Sequence, residues 1–307
     1  MGDVALLPTA VPLARAIPAF LTGYERIGSE GTRRVYRGTL NAVATRFGEE
    51  TPVGAFGAPG MGEAFRVWFR ERYGPLSPAT YCRHLATCQS AFGWWQLQGW
   101  LASDPTVGLS RPSIPRGAPR ARPDDEVREL LTGPGVPLRE RTLWTLLYET
   151  AARAEEILSL DVPDLDLPNK RVLLRGKGGH QRWVFWQTGA ARLLPRLLAG
   201  RQAGPVFLSH RPPRSAVASV DLCPVTGRAR LSYRRAAELF KDVTGLRLHD
   251  LRHSQLTHEA ETGTNPPMLL ARSGHASLRS LEPYIAGLSA AAVARHVAER
   301  DPARRRR

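Results

Sequence analysis

A mainly α fold with one small β-sheet, divided into an N-terminal helical domain and a C-terminal α+β domain, is what this 307-residue sequence predicts. Three observations carry the prediction. Apolar residues recur at helical steps of three and four through residues 1–109. A Pro/Arg-rich stretch unsuited to regular structure follows at residues 110–123. Beyond it, among further helical patterns, two short β-type runs flank a glycine loop.

The elements follow in order. In GTRRVYRGTLNAVATRFG, Tyr36, Leu40, Val43 and Phe47 share one helical face, and Gly48 stops the helix. In SPATYCRHLATCQSAFGWWQLQ, Tyr81, Leu85, Cys88, Phe92 and Trp95 do the same, with Ser77 as N-cap and Pro78 at the first helical position. Weaker helices near residues 12–24 and 61–73 complete a four-helix domain. Its aromatic stripe reads as a bundle core rather than a base-stacking platform. The opposite faces, with Arg33, Arg34, Arg37 and Arg83, suit phosphate tracking and plain solvation equally.

Residues 110–125, SRPSIPRGAPRARPDD, combine four prolines with four arginines and read as an extended interdomain linker. A basic linker between two basic domains suggests a clamp on nucleic acid. Asp124 and Asp125 suit a helix start, and helical patterns run to about residue 158, interrupted near 133–137, with Arg153 inside the pattern LLYETAARAEEILSL. RVLLR and QRWVFW form a hairpin about GKGGH, and VFLS near residue 206 is a further short strand. Asp164 and Asp166 read as solvated turn acids rather than a metal pair. Helices resume at Leu231 and end with LSAAAVARHVAERD at 288–301, before an arginine tail.

Net charge is +15 and the isoelectric point near 10.8, a balance that attracts polyanions and makes nucleic acid the leading partner. The linker is the most densely basic part, and only Lys170, Lys177 and Lys241 are lysines. Three scattered cysteines, Cys82, Cys88 and Cys223, fit no disulfide framework or four-ligand zinc knuckle and read as small buried hydrophobes in a reducing compartment. The sequence has no apolar run of about 18 or more residues and no signal-peptide pattern at its start, so a cytoplasmic protein without a membrane partner is expected.

The stretch RLHDLRHSQLTH places His249 and His253 four apart, a zinc-helix spacing. The metalloprotease pattern needs a glutamate after the first histidine, and Asp250 stands there instead. Arg252, on the same face as His249, would also repel a dication, whereas its planar fork suits a phosphodiester. Nor is GKGG a P-loop, since Gly178 follows Lys177 where serine or threonine is required.

Read together, five blocks resemble the tyrosine recombinase (phage integrase) family: Arg153 in AARAEEIL, Lys177 in GKGGH, His249 and Arg252 in HDLRH, His275 in SGH, and Tyr284 nine residues later. The resemblance implies a SAM-like four-helix core-binding domain over residues 1–109, the linker, and an α+β tyrosine-recombinase catalytic domain over 124–307, as in compact two-domain, Xer-like members. It implies a site-specific DNA recombinase, an integrase or resolvase, that cuts and rejoins strands through a covalent 3′-phosphotyrosine. Double-stranded DNA is the implied partner of a homotetramer on two duplexes with C-terminal helix exchange, nucleoid-associated and with possible accessory DNA-binding proteins. Two departures stand out: Ala152 where glycine or a similar residue is usual, and Pro283 directly before the tyrosine, which restricts Glu282.

Physical chemistry assigns the roles consistently. Attack on a phosphodiester puts charge on its non-bridging oxygens, which Arg153 and Arg252 would stabilise. A tyrosine hydroxyl needs an acceptor to become phenolate-like, and His249 is the candidate. Lys177 suits protonation of the departing 5′ oxygen, and His275 suits holding a phosphate oxygen. Neither a cofactor nor a metal is expected. Alternative readings are a catalytically inactive DNA-binding protein of the same fold and a metal-dependent hydrolase built on the histidine helix.

Overall fold

A computed structural model describes residues 10–25, 27–114, 121–175, 181–213, 215–285, 288–299 and 301. The chain divides into two compact units, Met1–Arg116 and Gly117–Arg307.

The first unit is built from α1 (Leu13–Gly23), α2 (Glu30–Phe47), α3 (Pro59–Tyr73) and α4 (Pro78–Leu97). Ser29 and Ser77 cap α2 and α4 by accepting from Thr32 N and Thr80 N at 3.2 and 3.4 Å. Gly48 ends α2 at φ 96°, a conformation glycine adopts without penalty. Phe20, Phe65, Phe69, Phe92 and Trp95 are fully buried, so the aromatic stripe is bundle core. Trp95 keeps its polar end satisfied by donating Nε1–H to Ala16 O at 3.2 Å. Arg33 donates to Leu21 O at 2.6 Å, near the end of α1, while Arg34, Arg37 and Arg83 stay exposed. At the start of the linker, Arg111 donates to Gln89 on α4 at 2.6 Å.

The second unit begins with α5 (Asp124–Thr132), α6 (Leu138–Thr150) and α7 (Ala154–Leu158). Next come β1 (Leu165–Asp166), β2 (Arg171–Arg175) and β3 (Gln181–Phe185), one antiparallel sheet in the order β1-β2-β3. The remaining helices are α8 (Thr188–Leu198), α9 (Tyr233–Thr244), α10 (Leu248–Glu261), α11 (Pro266–Ser273), α12 (Glu282–Ile285) and α13 (Ala290–Glu299). The main core joins Trp144, Leu146 and Leu147 of α6 to Val172, Leu174 and Val184 of the sheet and to Phe240 of α9. A separate, smaller core comprises Ala151, Leu256, Ala260, Leu269, Leu281 and Tyr284.

Three expectations are corrected. VFLS is not a strand: Leu208 makes only an isolated bridge to Arg230. The third strand is Leu165–Asp166, whose aspartate is no free turn acid, because it accepts from Arg171 Nε at 2.8 Å and from Asn169 Nδ2. Those hydrogen bonds, Asn169 first, hold the Asp166 carboxyl below its usual range. Arg153 does not lie within a helix, because α6 stops at Ala151, which adopts φ 50°, and Arg153 is extended and precedes α7. The apolar periodicity runs across this break because both helices pack on one core, so the pattern alone concealed it. The glycine-favouring conformation accordingly falls on Ala151 rather than Ala152. At the other departure, Glu282 is helical despite the following proline, and Pro283 lies in the first turn of α12, where its missing N–H is no loss.

Candidate active site

The ends of α6 and α11 and one face of α10 converge around a buried guanidinium. Arg252, on α10, is 2% exposed. It donates from Nη1 to Ala151 O, at the left-handed turn after α6, and from Nη2 to Ser273 O, the last residue of α11, at 2.8 Å. Carbonyls at helix C-termini lack intrahelical partners and carry partial negative charge, so they are natural acceptors for a buried cation. Burial, and then the nearby Arg153 charge, push the Arg252 guanidinium down to about 10, which leaves it cationic at neutral pH.

His275 follows directly. Gly274 ends α11 at φ 64°, and the turn brings His275 Nε2 to 3.2 Å from Arg252 Nη2. A guanidinium only donates, so Nε2 accepts and the imidazole proton resides on Nδ1. Burial, then Arg252 and Arg153, push His275 down to about 4, so the ring is neutral at pH 7. Among the described residues, neither His275 Nδ1 nor Arg252 Nε has a hydrogen-bond partner, although both atoms are buried. A buried donor without a partner is costly and invites an acceptor.

Tyr284, on α12, is 4% exposed. Its ring stands between His275, at 5.7 Å between centroids, and His253, at 5.0 Å. His253 in turn meets His249 edge-on at 4.6 Å. His249 is exposed on the first turn of α10. His253, rather than His249, is the ring that faces Tyr284.

Arg153 is half exposed and ion-pairs with Glu156 Oε1 at 3.0 Å, while its backbone N–H donates to Glu156 Oε2 at 2.8 Å. Its Nη2 reaches Gly274 O at 3.4 Å, next to His275. Glu156 is shared, for its Oε2 also accepts from Arg182 Nη2 at 2.6 Å. Arg182 was not singled out in the sequence. The available signal was its register: on β3 it shares the inward face with Val184, a position where an unpaired charge is rare. Lys177 lies outside the described residues. The structure therefore gathers Arg153, Arg252, His275 and Tyr284, with His249 adjoining through His253.

His258 touches both α6 and the residues just before α5. Its Nε2 lies 2.7 Å from Arg122 O and its Nδ1 2.8 Å from Tyr148 Oη, and Tyr148 Oη donates to Asp124 at 3.1 Å. With Arg122 N donating to Ser254 Oγ at 2.9 Å, the end of the linker is fastened to α10.

Comparisons with known proteins identify the family and the fold. The sequence profile described as "Phage integrase family" matches residues 123–290. Tyrosine recombinase XerC of Mycobacterium sp. (strain KMS) is 28% identical over 283 residues, covering 85% of this chain and 89% of that protein. Tyrosine recombinase XerC of Rhodospirillum centenum (strain ATCC 51521 / SW) is 31% identical over 278 residues, covering 85% of this chain and 79% of that one. Among solved structures, a lambda integrase fragment bound to DNA superposes with a TM-score of 0.64 at 14% identity, covering 87% of this chain and 94% of that chain. A Tn1549 transposon integrase in complex with circular intermediate DNA gives 0.64 at 14% identity, covering 94% and 99%. At these identities the structural likeness is one of fold.

Proposed function

This chain belongs to the phage integrase family and is a site-specific DNA recombinase, and we propose that it cuts and rejoins double-stranded DNA through a 3′-phosphotyrosine on Tyr284. The observation that carries the assignment of residues is the pocket itself: Arg252 and His275 in contact, Tyr284 beside His275, and Arg153 one residue away at Gly274 O. In this reading a phosphodiester enters where Arg252 Nε and His275 Nδ1 lack acceptors. Arg153 and Arg252 stabilise the charge that builds on the non-bridging oxygens, and neutral His275 donates Nδ1–H to one of them.

The tyrosine Oη attacks phosphorus, forming the P–O bond as the bond to the 5′ oxygen breaks. The phenolic proton passes to the histidine pair, with His249 the acceptor through its neighbour His253. Lys177 protonates the departing 5′ oxygen. The reverse reaction, attack by a 5′ hydroxyl on the phosphotyrosine, reseals the strand, so no high-energy cofactor enters. The fixed cations supply the charge stabilisation that divalent ions supply elsewhere.

Residues 1–109 act as the core-binding domain, with exposed Arg34, Arg37 and Arg83 available to phosphates. The basic linker over 110–123 and the catalytic domain over 124–307 bind the same duplex in this reading. The working assembly is a homotetramer on two duplexes that exchanges C-terminal helices; α13 offers exposed Val293 and Val297 for such docking. A cytoplasmic, nucleoid-associated location accompanies this function, and no helix among the described residues is long and apolar enough to cross a membrane.

A duplex nicked just beyond the cleavage point loses its 5′-hydroxyl fragment and traps covalent protein. Tyr284→Phe should bind this substrate normally and yield no covalent adduct on a denaturing gel. Adduct formation by the variant would remove Tyr284 as nucleophile.

A further inference from the structure

Arg182 reaches two separate segments from one strand, the start of α7 and the end of α11. Its Nη2 donates to Glu156 Oε2 at 2.6 Å, its Nη1 donates to Arg272 O at 2.8 Å, and its Cδ lies 2.8 Å from where a Cβ on Gly274 would stand. Its side chain is 15% exposed, as is fitting for a guanidinium whose partners are internal. Glu156 orients Arg153, and Arg272–Gly274 is the turn that delivers His275. The absence of a side chain at Gly274 is what allows the arginine to lie across that turn.

We propose that Arg182 is a positioning residue for strand cleavage, holding the Arg153–Glu156 pair and the Gly274–His275 turn in register through one guanidinium. The proposal rests on the catalytic reading of Arg153 and His275 above. Arg182 touches no reacting atom in this account. It acts by fixing two groups that do, and misplacement of such groups by about 1 Å lowers rates by roughly 10²-fold. Lysine is no substitute, because a single ammonium on a flexible stem does not span a carboxylate and a carbonyl as the planar fork does. Burial presses the Arg182 guanidinium down in pKa, and the Glu156 charge offsets this only in part.

The test is a double-mutant cycle read by single-turnover cleavage of the nicked duplex, with DNA affinity measured separately. Arg182→Ala should slow covalent adduct formation by about 10²-fold with little change in DNA affinity, and Arg182→Lys should recover only part of the loss. Because Arg182 works in part through Arg153, adding Arg182→Ala to Arg153→Ala should slow cleavage by a clearly smaller factor than Arg182→Ala does in the wild-type background. Losses that multiply, or a wild-type rate in Arg182→Ala, would overturn the inference while leaving the catalytic reading intact. A wild-type rate in Arg153→Ala would instead remove that reading. Should Arg182→Ala fail to fold by circular dichroism, Arg182→Lys carries the same cycle with the same criteria. In Arg182→Ala the His275 imidazole, followed by NMR, should titrate higher than in the wild type, because the Arg182 charge is among those that hold it down, and an unchanged titration counts against the inference.

Discussion

Arg252 shows how one residue ties chemistry to folding. Its guanidinium bonds the carbonyls that end two helices and also contacts His275, so the cation is held by acceptors that need it. His275 pays the electrostatic consequence. A histidine held at about 4 when folded, against an ordinary value of 6.5, keeps its neutral form in the native state. Below pH 6.5 the unfolded chain binds the extra proton first, so its contribution to stability is complete above 6.5 and falls as pH drops toward 4. The expected loss is on the order of 2 kcal/mol, allowing for partial solvent screening. Urea denaturation at successive pH values should show it, and His275→Gln should flatten that part of the profile. A wild-type profile indifferent to pH between 6.5 and 4 would contradict the burial of a neutral imidazole.

At the scale of elements, helix ends do the positioning. Glu149, on the last turn of α6, is 8% exposed and its Oε2 accepts from Gln187 N at 2.8 Å and Ala190 N at 3.2 Å, capping the start of α8 from another helix. Gly189 makes room, since a Cβ there would lie 2.5 Å from Glu149 Oε1. Glu149→Ala strands one buried and one part-buried N–H group and should cost about 1–3 kcal/mol in denaturant unfolding, whereas Glu149→Gln retains an acceptor and should cost less. Burial pushes the Glu149 carboxyl up. Its folded state thus favours the proton, and stability from this group declines as pH rises through the raised value, a slope the glutamine variant should lack.

The helices of the first unit were legible because each buries one stripe and carries local stop and start residues, Ser77 and Gly48 among them. The break at Ala151 was not, since nothing local in AARAEEIL favours φ 50°; the Arg252 bond from a residue 101 positions away accompanies it. Likewise Tyr284, Arg153 and His275 could be picked by type and order. Glu156 shared with Arg182, and His253 rather than His249 against the tyrosine, are long-range or rotational facts that spacing does not encode.

The whole molecule comprises two compact units, and among the described residues of the second there are two cores of unequal size. The larger joins α6, the sheet and α9. The smaller has six buried members, and one of them is Tyr284. Free energy of local opening tracks the apolar contacts that must be broken, so the two cores need not come apart together. Backbone amides of 278–285 should exchange with deuterium faster than those of α6 or β2, by mass spectrometry of the free protein; equal protection would mean one cooperative unit. Tyr284, the proposed nucleophile, belongs to the smaller core. Opening of that core alone should admit solvent to it while the larger core stays folded.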